Sequence, residues 1–371
     1  MSDVIVNNKM SIFWAKFGKI VSYAVFVTWA LITIVPLIWM SYSSLKSNEE
    51  LTRDIYALPY ELFDNKNDEY TVIKPDLNTI RDYDPKVDTR ERIVIESATI
   101  APGRRLMVFF LVKEDMPEEI QNLKKGDSLL VSDLPRSIGR YISRKTMRFN
   151  YESAFIRGGL TGKFINSLVY SGISTFLIIL LGSMIAFALS KMQFKKISAV
   201  VMIVFGLGYL ISIPSLIIPL FLMLTKLGLI DTHLGLILVY TAFGLPLAVL
   251  LSSQFMQGLP DSLVESAYID GASVFRTFWS IILPMTTPVM VTIGILSALG
   301  IWNEFLLVLV LASSEFTKSL PVGVFSFSSL TGTQLGWQLA ALVIATAPAM
   351  IIYFIFNQQI TRGVVAGSVK E

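Results

Sequence analysis

The sequence predicts an all-α polytopic membrane protein with six membrane-spanning helices and a small β-rich domain between the first helix and the second. Two observations lead to this fold class. Of the 371 residues, 53% are hydrophobic and only 16% are charged, whereas soluble domains carry about 25% charged residues. The charged residues are also missing from several blocks that reach the roughly 20 apolar residues a helix needs to cross a bilayer.

Six blocks without Asp, Glu, Lys or Arg predict the spans. The sixth block, 319–361, is longer than one span requires and polar in its first part, so we place its span near 337–356. Each span should be helical, because hydrocarbon offers the backbone no other hydrogen-bond partner. We interpret the first block as a retained anchor, because it is too long for a signal peptide and no small-residue cleavage site follows it. The other five blocks are 20–45, 164–190, 197–225, 233–260 and 277–303.

Basic residues in the short loops predict the orientation of the chain, since Lys and Arg accumulate on the cytoplasmic side. Three lysines precede the first span and three follow the second, whereas the loops after the third and fifth spans carry one lysine each. We therefore predict a cytoplasmic N-terminal tail (1–19), a first span (20–45), an extracytoplasmic insertion (46–163), five further spans with a cytoplasmic loop at 258–284 (together 164–356), and a cytoplasmic C-terminal tail (357–371).

Residues 46–163 differ from the rest of the chain, because they are rich in charge and their apolar runs are short. The runs 92–96, 106–112 and 128–131 have the length of strands, and turn residues such as Pro102-Gly103 separate them. We predict a small β-rich extracytoplasmic domain here. Its charge does not oppose export, since long domains are translocated regardless of charge.

The composition excludes several kinds of site. The chain has no cysteine, which rules out disulfides and thiolate metal sites, and a single histidine, His233, which rules out a zinc site built from several imidazoles. A net charge of +3 is too small to indicate nucleic-acid binding. The sequence has no G-x-x-x-x-G-K-[ST] phosphate loop. We therefore expect no catalytic residue, metal or cofactor, and we interpret His233 as a solvated residue at the edge of the fourth span.

The loop at 258–284 is patterned for two short helices. Ser262 and Glu265 have the S-x-x-E spacing of a capping box and predict a helix that starts at Ser262. Gly271 can take the left-handed conformation that ends a helix, and Ser273 can start a second helix that leads into the fifth span. A stiff element of this kind suits docking to a partner, because a simple connector would need only a few polar residues.

This loop resembles the EAA loop of ABC-importer permeases, whose usual pattern is E-A-A-x-x-D-G-A followed by F-x-x-I-x-L-P. Ser266 stands where that pattern usually has alanine. The residues that carry the resemblance are Glu265-Ser266-Ala267, Asp270-Gly271-Ala272, Phe278, Ile281 and Leu283-Pro284.

Other segments are similar to carbohydrate-uptake permeases, above all to the smaller permease of maltose-type importers. The family often passes within a short loop from a Leu-Pro to an Asn-Tyr, but here about ninety residues separate Leu58-Pro59 from Asn150-Tyr151. The β-rich stretch is therefore an insertion, and the role of its residues 64–147 does not follow from the family. The similar segments are 166–168, 186–190, 213–214, 218–220, 227–232, 302–305 and 363–370.

The resemblance implies the six-helix fold of type I ABC-importer permeases and a transport subunit that hydrolyses no ATP itself. It implies that the loop is a coupling helix seated in a cleft of a separate ATPase subunit. Glu265 would face a basic residue there, or would only cap its own helix. The implied partners are ATPase subunits, a second homologous permease, an extracytoplasmic solute-binding protein, a sugar and the lipid of the cell membrane. The implied coupling residues are Glu265, Ser266, Ala267, Asp270, Gly271 and Ala272.

Hydroxyl, amide and aromatic side chains of the core spans are candidates for a sugar path, because related importers hold sugars by hydrogen bonds and stacking. Aromatic residues in spans also pack against lipid, and serines also bond within or between helices, so this alternative stays open. Pro214 and Pro219 predict a local break in the third span, as is common where a helix lines a path. The candidates are Asn166, Tyr209, Ser212, Ser215, Tyr240, Trp302 and Asn303.

Three other functions remain open at this point. The chain could be a permease of the same architecture for another solute, such as a polyamine or phosphate. It could be an ion-coupled secondary transporter, although such proteins usually show inverted repeats and buried carboxylates. A membrane enzyme would need acid, base or metal-binding residues that converge at one face, and the spans contain none. We interpret Glu304, at the outer end of the fifth span, as interfacial.

Overall fold

The computed structural model describes residues 2–46, 48–59, 69–73, 92–97, 108–192, 195–326 and 335–366. Parts of the sequence predictions lie outside these residues, among them the turn at Pro102-Gly103, residues 106–107, residues 327–334 and the end of the C-terminal tail from 367. The chain divides into two compact units, residues 1–153 with 334–343 and residues 154–333 with 344–371.

The first unit begins with a long apolar helix. Helix α1 covers Ser2–Ser43, and its segment Lys16–Ser43 is long and apolar enough to cross a membrane. No residue in the most apolar part of this segment is buried by other parts of the chain, so its side chains are exposed on all sides of the helix. The short helix α2, Asn48–Arg53, follows. The Trp39 indole N–H donates to the Ile55 carbonyl at 3.0 Å and holds the chain after α2 against the end of α1.

An antiparallel sheet of four strands forms the core of the first unit. Its strand order is β3-β2-β1-β4, and in the middle of β2 Val94 pairs with Ile73 on one side and Phe110 on the other. Ile95 and Phe109 are buried in one apolar cluster under the sheet. The strands are β1 Glu69–Ile73, β2 Arg92–Ser97, β3 Val108–Val112 and β4 Ser128–Leu130, and the short helix α3, Glu118–Gln121, lies between the last two.

One long helix was missed, because the whole stretch 46–163 was assigned to a β-rich domain. Helix α4 covers Arg136–Gly158. Ile138 and Ile142 lie four residues apart and therefore on one face of that helix, and both contact the apolar cluster of the sheet. A search for runs of consecutive apolar residues does not detect this four-residue helical spacing. Strands occur at all three predicted runs, but β1 was not predicted.

The second unit is helical. Among the described residues of both units, four helices are long and apolar enough to cross a membrane, and one of these is α1 of the first unit. The number rises to six if each of two bent helix pairs, both in the second unit, counts as one span. Helix α15, which begins in the first unit, ends here. The helices are α5 Leu160–Lys191, α6 Lys195–Leu210, α7 Ile213–Lys226, α8 His233–Gln257, α9 Ser262–Ile269, α10 Val274–Thr277, α11 Leu283–Met285, α12 Thr287–Trp302, α13 Leu306–Leu311, α14 Leu320–Ser326 and α15 Leu335–Ala366.

Both bends lie directly before a proline. Helices α6 and α7 meet at 101°, and Pro214 lies in the first turn of α7. Proline fits the first turn of a helix, where its missing N–H would have no intrahelical partner. Pro219 lies inside α7, so only Pro214 marks the predicted break. The segment Val274–Met285 meets α12 at 76°, and Pro288 lies in the first turn of α12.

Helix α5 packs against α8 and α12 in the centre of the second unit. Ile178, Ala248 and Ile293 come from these three helices and are buried together. Gly182 allows a close approach of α5 to α8, because a Cβ at this position would lie 2.9 Å from the Cβ of Ala248. Small residues at such contacts let two backbones come close, which is the main source of helix association where lipid is as apolar as the side chains.

We predict that Gly182→Leu destabilises the protein by about 1–3 kcal/mol, because the added side chain overpacks the contact with Ala248. Thermal unfolding of the detergent-purified protein should then show a lower melting temperature. Gly172→Leu is the matched control, since Gly172 lies on the same helix with no atom within 4 Å of its ideal Cβ position. Equal melting temperatures for the two variants would contradict the packing.

Candidate functional sites at the two ends of α5

A short helix with a glycine turn follows the end of α8. Helix α9 begins at Ser262, as predicted, and Gly271 ends it with a φ of +75°. The Gly271 N–H donates to the Tyr268 carbonyl at 3.0 Å, and the Ala272 N–H donates to the Ala267 carbonyl at 2.9 Å. These two bonds are those of a Schellman motif, which needs a residue that tolerates the left-handed region.

The predicted capping box is absent, so that part of the prediction was wrong. The N-cap residue of α9 is Asp261, and its side chain makes no capping bond. The Asp261 carboxylate accepts a bond from the Lys191 ammonium at 2.6 Å instead. The second helix follows the prediction, because Ser273 is the N-cap of α10 and its hydroxyl accepts from the Arg276 N–H at 3.3 Å.

The two faces of α9 differ in exposure. Val264 and Ala267 are buried, and Val264 packs with Phe187 of α5 and with Phe278. Ala272 is half-buried. The exposed face carries Glu265, Ser266, Tyr268, Ile269, Asp270 and Gly271. The segment from 262 to 272 is therefore anchored by one side and free to contact another molecule with the other.

The chain after α10 stays helical up to Met285. It passes through one π-helical turn, Phe278–Ile282, into α11. Phe278 and Ile282 are buried in the same cluster as Val264, whereas Phe275 is exposed. The segment from α9 to α11 thus forms one packed element at the end of α5 that carries Lys191.

At the other end of α5, one aspartate organises a loop. Asp231 has a left-handed backbone with a φ of +57°. One carboxylate oxygen accepts from the Ser313 N–H at 3.0 Å, from the Ser314 N–H at 3.1 Å, and from the hydroxyls of Ser314 and Thr317. Burial alone would raise the pKa of Asp231, but the bonds from Thr317, Ser314 and Ser313 outweigh it and lower the pKa below its ordinary value.

Helix α5 contacts the same loop directly. The Asn166 amide donates to the carbonyls of Phe316 at 2.7 Å and Lys318 at 3.0 Å. The Tyr170 hydroxyl donates to the Thr317 carbonyl at 2.8 Å and lies 2.8 Å from His233 Nδ1. His233, predicted to be a solvated boundary residue, is half-buried and contacts the Phe316 ring at a centroid distance of 4.8 Å.

Glu315 forms two ion pairs at this end of α5. The Glu315 carboxylate accepts from Lys163 at 2.8 Å and from Lys318 at 2.6 Å. Bonds from the two ammonium groups lower the pKa of Glu315. Lys163 also donates to the Gly158 carbonyl at 2.7 Å. The loop 312–319 is thus held by three side chains of α5 and by Asp231.

Two predicted path residues are buried, and their polar atoms have protein partners. Tyr240, only 4% exposed, donates to Glu304 Oε2 at 3.0 Å. Glu304, predicted to be interfacial, also accepts from the Leu307 N–H at 2.8 Å and so holds the start of α13. The Trp302 indole N–H donates to the Ala345 carbonyl at 3.0 Å.

Of the remaining candidates, Asn166 is half-buried, and Tyr209, Ser212, Ser215 and Asn303 are exposed. Tyr209 and Ser212 lie at the bend between α6 and α7, and the Ser212 hydroxyl lies 2.8 Å from that of Ser215. The Asn303 amide donates to the Leu299 carbonyl of its own helix at 2.9 Å. The structure therefore brings Tyr209, Ser212 and Ser215 near one bend, and it joins Asn166 to the loop at the end of α5.

Sequence reasoning missed the long-range pairs found at the two ends of α5. Lys191 and Asp261 are 70 positions apart in the sequence, and Asp231 lies 82 positions before Ser313. No local pattern joins residues at such separations. Among the described residues, no group of three or more His, Cys, Asp or Glu side chains could hold a metal ion.

The profile of the family described as binding-protein-dependent transport system inner membrane component matches residues 157–365. The α4 C-terminus and the helices from α5 to α15 lie in the matched region, whereas the sheet of the first unit lies before it.

Several relatives are about one-third identical to the chain over the aligned residues. "Probable starch degradation products transport system permease protein AmyC" of Thermoanaerobacterium thermosulfurigenes is 34% identical over 62% of this chain and 83% of its own length. The trehalose transport system permease protein SugB of Mycobacterium tuberculosis is 33% identical over 62% and 85%. The fold is similar to a crystal structure of a bacterial ABC transporter involved in the import of the acidic polysaccharide alginate, with a TM-score of 0.58, 16% identity, and coverage of 92% of this chain and 96% of that one.

We predict that Asp231→Asn speeds hydrogen exchange at the Ser313 and Ser314 amides at neutral pH by roughly tenfold or more, since bonds to charged groups contribute about 1.5–3 kcal/mol. Exchange measured by mass spectrometry on the purified protein checks this. Asp270→Asn is the control. Asp270 is exposed and lies next to α9, near the opposite end of α5, so this substitution should leave exchange at the Ser313 and Ser314 amides unchanged.

The lowered pKa of Asp231 also predicts a pH dependence. The contribution of its carboxylate is present at pH values above the ordinary aspartate pKa of about 3.9 and is lost as the pH falls through the lower folded-state value. After correction for intrinsic exchange, the wild-type protein should lose protection only in that acidic range. A loss of protection already between pH 5 and pH 6 would contradict the assignment.

Proposed function

Because the chain belongs to the family of binding-protein-dependent transport system inner membrane components, we propose that it is the permease subunit that moves a sugar or an oligosaccharide across the cell membrane in an ATP-driven importer. The members of this family are membrane permease components of ABC importers and not catalytic enzymes. The relatives named above belong to transport systems for starch degradation products and for trehalose, which favours a carbohydrate over a polyamine or phosphate.

The observation that carries the proposal is the exposed face of α9 with its glycine turn. Glu265, Ser266 and Asp270 are exposed there, and the apolar side chain of Ile269 is 86% exposed. Phe275 of the following helix α10 is 66% exposed. A patch of this kind marks an interaction site. In the proposed function this face docks into a cleft of an ATPase subunit, with Glu265 toward a basic residue and Gly271 and Ala272 shaping the fit. Ala267, which the sequence analysis also assigned to coupling, is buried and would hold α9 in place instead of touching the ATPase.

The proposed topology has six spans. It counts each bent helix pair as one span and places both chain termini and α9 in the cytoplasm, with the sheet-containing insertion between the first two spans on the other side. The boundaries are those of the sequence analysis, 1–19, 20–45, 46–163, 164–356 and 357–371. The basic residues before the first span and after α5 support this orientation.

The proposed sugar path runs past the bend between α6 and α7. Tyr209 and Ser212 are exposed there and could stack on and bond to a sugar. Asn303 is exposed at the end of α12. Asn166, Tyr240 and Trp302 already bond to protein groups, so we assign them to holding the path in shape. An extracytoplasmic binding protein would deliver the sugar, and a second homologous permease would complete the path.

Purification under mild detergent tests the proposal. A tagged chain expressed with its genomic neighbours should co-purify with an ATP-hydrolysing subunit, a second permease and a soluble binding protein. Proteoliposomes that contain the complex should take up a labelled sugar, tested from a pool of mono- and oligosaccharides, only when ATP is present. A chain that is isolated alone and transports without an ATPase would contradict the proposal, and uptake of polyamine but no sugar would reassign the solute.

We predict that Gly271→Val abolishes most ATP-driven uptake while the amount of protein in the membrane stays near normal. A β-branched residue is strained at the φ of +75° found here, although no neighbouring atom lies within 4 Å of its ideal Cβ position. Gly271→Asn is the matched control, because asparagine tolerates the left-handed region. Normal uptake by the valine variant, with full coupling to ATP hydrolysis, would show that the turn is not needed.

A further inference from the structure

One lysine joins the C-terminal end of α5, which the proposed topology places in the cytoplasm, to the start of α9. The Lys191 ammonium donates to the Leu259 carbonyl at 2.5 Å and to Asp261 Oδ1 at 2.6 Å. Leu259 and Asp261 belong to the connector that leads from α8 into α9. A single side chain of α5 therefore holds both ends of this connector, just before the exposed helix begins.

The burial of the two partners is unequal. The Lys191 side chain is only 2% exposed, whereas that of Asp261 is 79% exposed. A buried ammonium is costly unless a negative group compensates it, and the Asp261 carboxylate together with the Leu259 carbonyl supplies that compensation. The hydrogen bond and charge of Lys191 in turn lower the pKa of Asp261, so the carboxylate stays ionised near neutral pH.

Apolar contacts run parallel to this ion pair. Phe187, one turn before Lys191 on α5, contacts the tilted ring of Phe278 at a centroid distance of 5.5 Å, and both pack with Val264 of α9. The exposed helix is thus joined to α5 on its buried face and at its N-terminus. Movement of α9 cannot leave α5 behind without breaking both contacts.

The far end of the same helix holds the loop 312–319. Asn166, Tyr170 and Lys163 make the contacts described above, and the Lys163 side chain is only 5% exposed. Helix α5 has 32 residues, which corresponds to a length of about 48 Å at 1.5 Å per residue. One continuous helix therefore connects the two sites.

We propose that Lys191 and Asp261 are a positioning pair that passes a displacement of α9 to α5, and through α5 to the loop 312–319. The inference rests on the proposed function, because it takes α9 as the element that an ATPase moves. Lys191 contacts neither ATP nor the solute in this scheme. Its position in the last turn of α5 also suits the helix dipole, but a lysine that served only the dipole would not need Asp261.

The chain contains no cysteine, so a single reporter can be placed on the loop. Ser313 is exposed and contributes only its backbone N–H to Asp231. Ser313→Cys labelled with a bimane fluorophore reports the surroundings of the loop in the purified complex, with ATP and with ADP. The solute is not needed for this measurement. The labelled wild-type complex should change its emission when ATP replaces ADP.

Lys191→Met should reduce the ATP-dependent emission change by about tenfold, within the range found for substitutions that lie between coupled sites, while ATP hydrolysis continues. Lys191→Arg should restore the change, since it keeps the charge and the donor. Asp261→Asn, which removes the negative charge that faces the Lys191 ammonium, should cause a similar loss. Lys196→Met is the control, because Lys196 is exposed on the neighbouring helix.

The outcomes separate this inference from the proposed function. A wild-type complex without ATPase activity would overturn the proposed function. If the wild-type complex hydrolyses ATP but shows no emission change, only the positioning pair is overturned. The same holds if the emission change is undiminished in both Lys191→Met and Asp261→Asn. Loss in Lys191→Met that Lys191→Arg does not restore would assign Lys191 to folding only and would also overturn it.

Discussion

The close packing of α5 on α8 and α12 is the contact on which both candidate sites depend. Lipid is as apolar as these side chains, so association must come from fit rather than from the expulsion of water. Gly182 against Ala248 provides the fit, and Ile178 and Ile293 fill the space beside it. Because α5 is held along its middle, the polar contacts at its two ends can position α9 and the loop 312–319 reproducibly.

The polar contacts lie at the ends of α5, where water and loop carbonyls are available. Lys191 and Lys163 are buried cations with named partners, and each would be costly without them. Asp231 concentrates four hydrogen bonds on one carboxylate oxygen. The second unit thus combines close helix packing along the middle of α5 with charged contacts at both ends of that helix.

The sequence predicts the parts of the structure that have a local cause. Apolar blocks of sufficient length correspond to helices, the left-handed Gly271 ends α9, and Pro214 marks the bend before α7. The prediction was wrong for α4, whose apolar residues are spaced rather than consecutive, and for the capping box, because Asp261 pairs with Lys191. Contacts such as Lys191 with Asp261 could not be predicted, since they depend on how distant segments pack.

The central claim is that the exposed face of α9 meets an ATPase. Ser266→Cys on the cysteine-free chain, treated with a short thiol-to-amine cross-linker in the purified complex, tests it most directly. The account predicts a covalent product with the ATP-hydrolysing subunit, and no modification of Ser266→Cys by an impermeant thiol reagent added outside intact cells. Rapid modification from outside, or a cross-link only to the extracytoplasmic binding protein, would contradict the account.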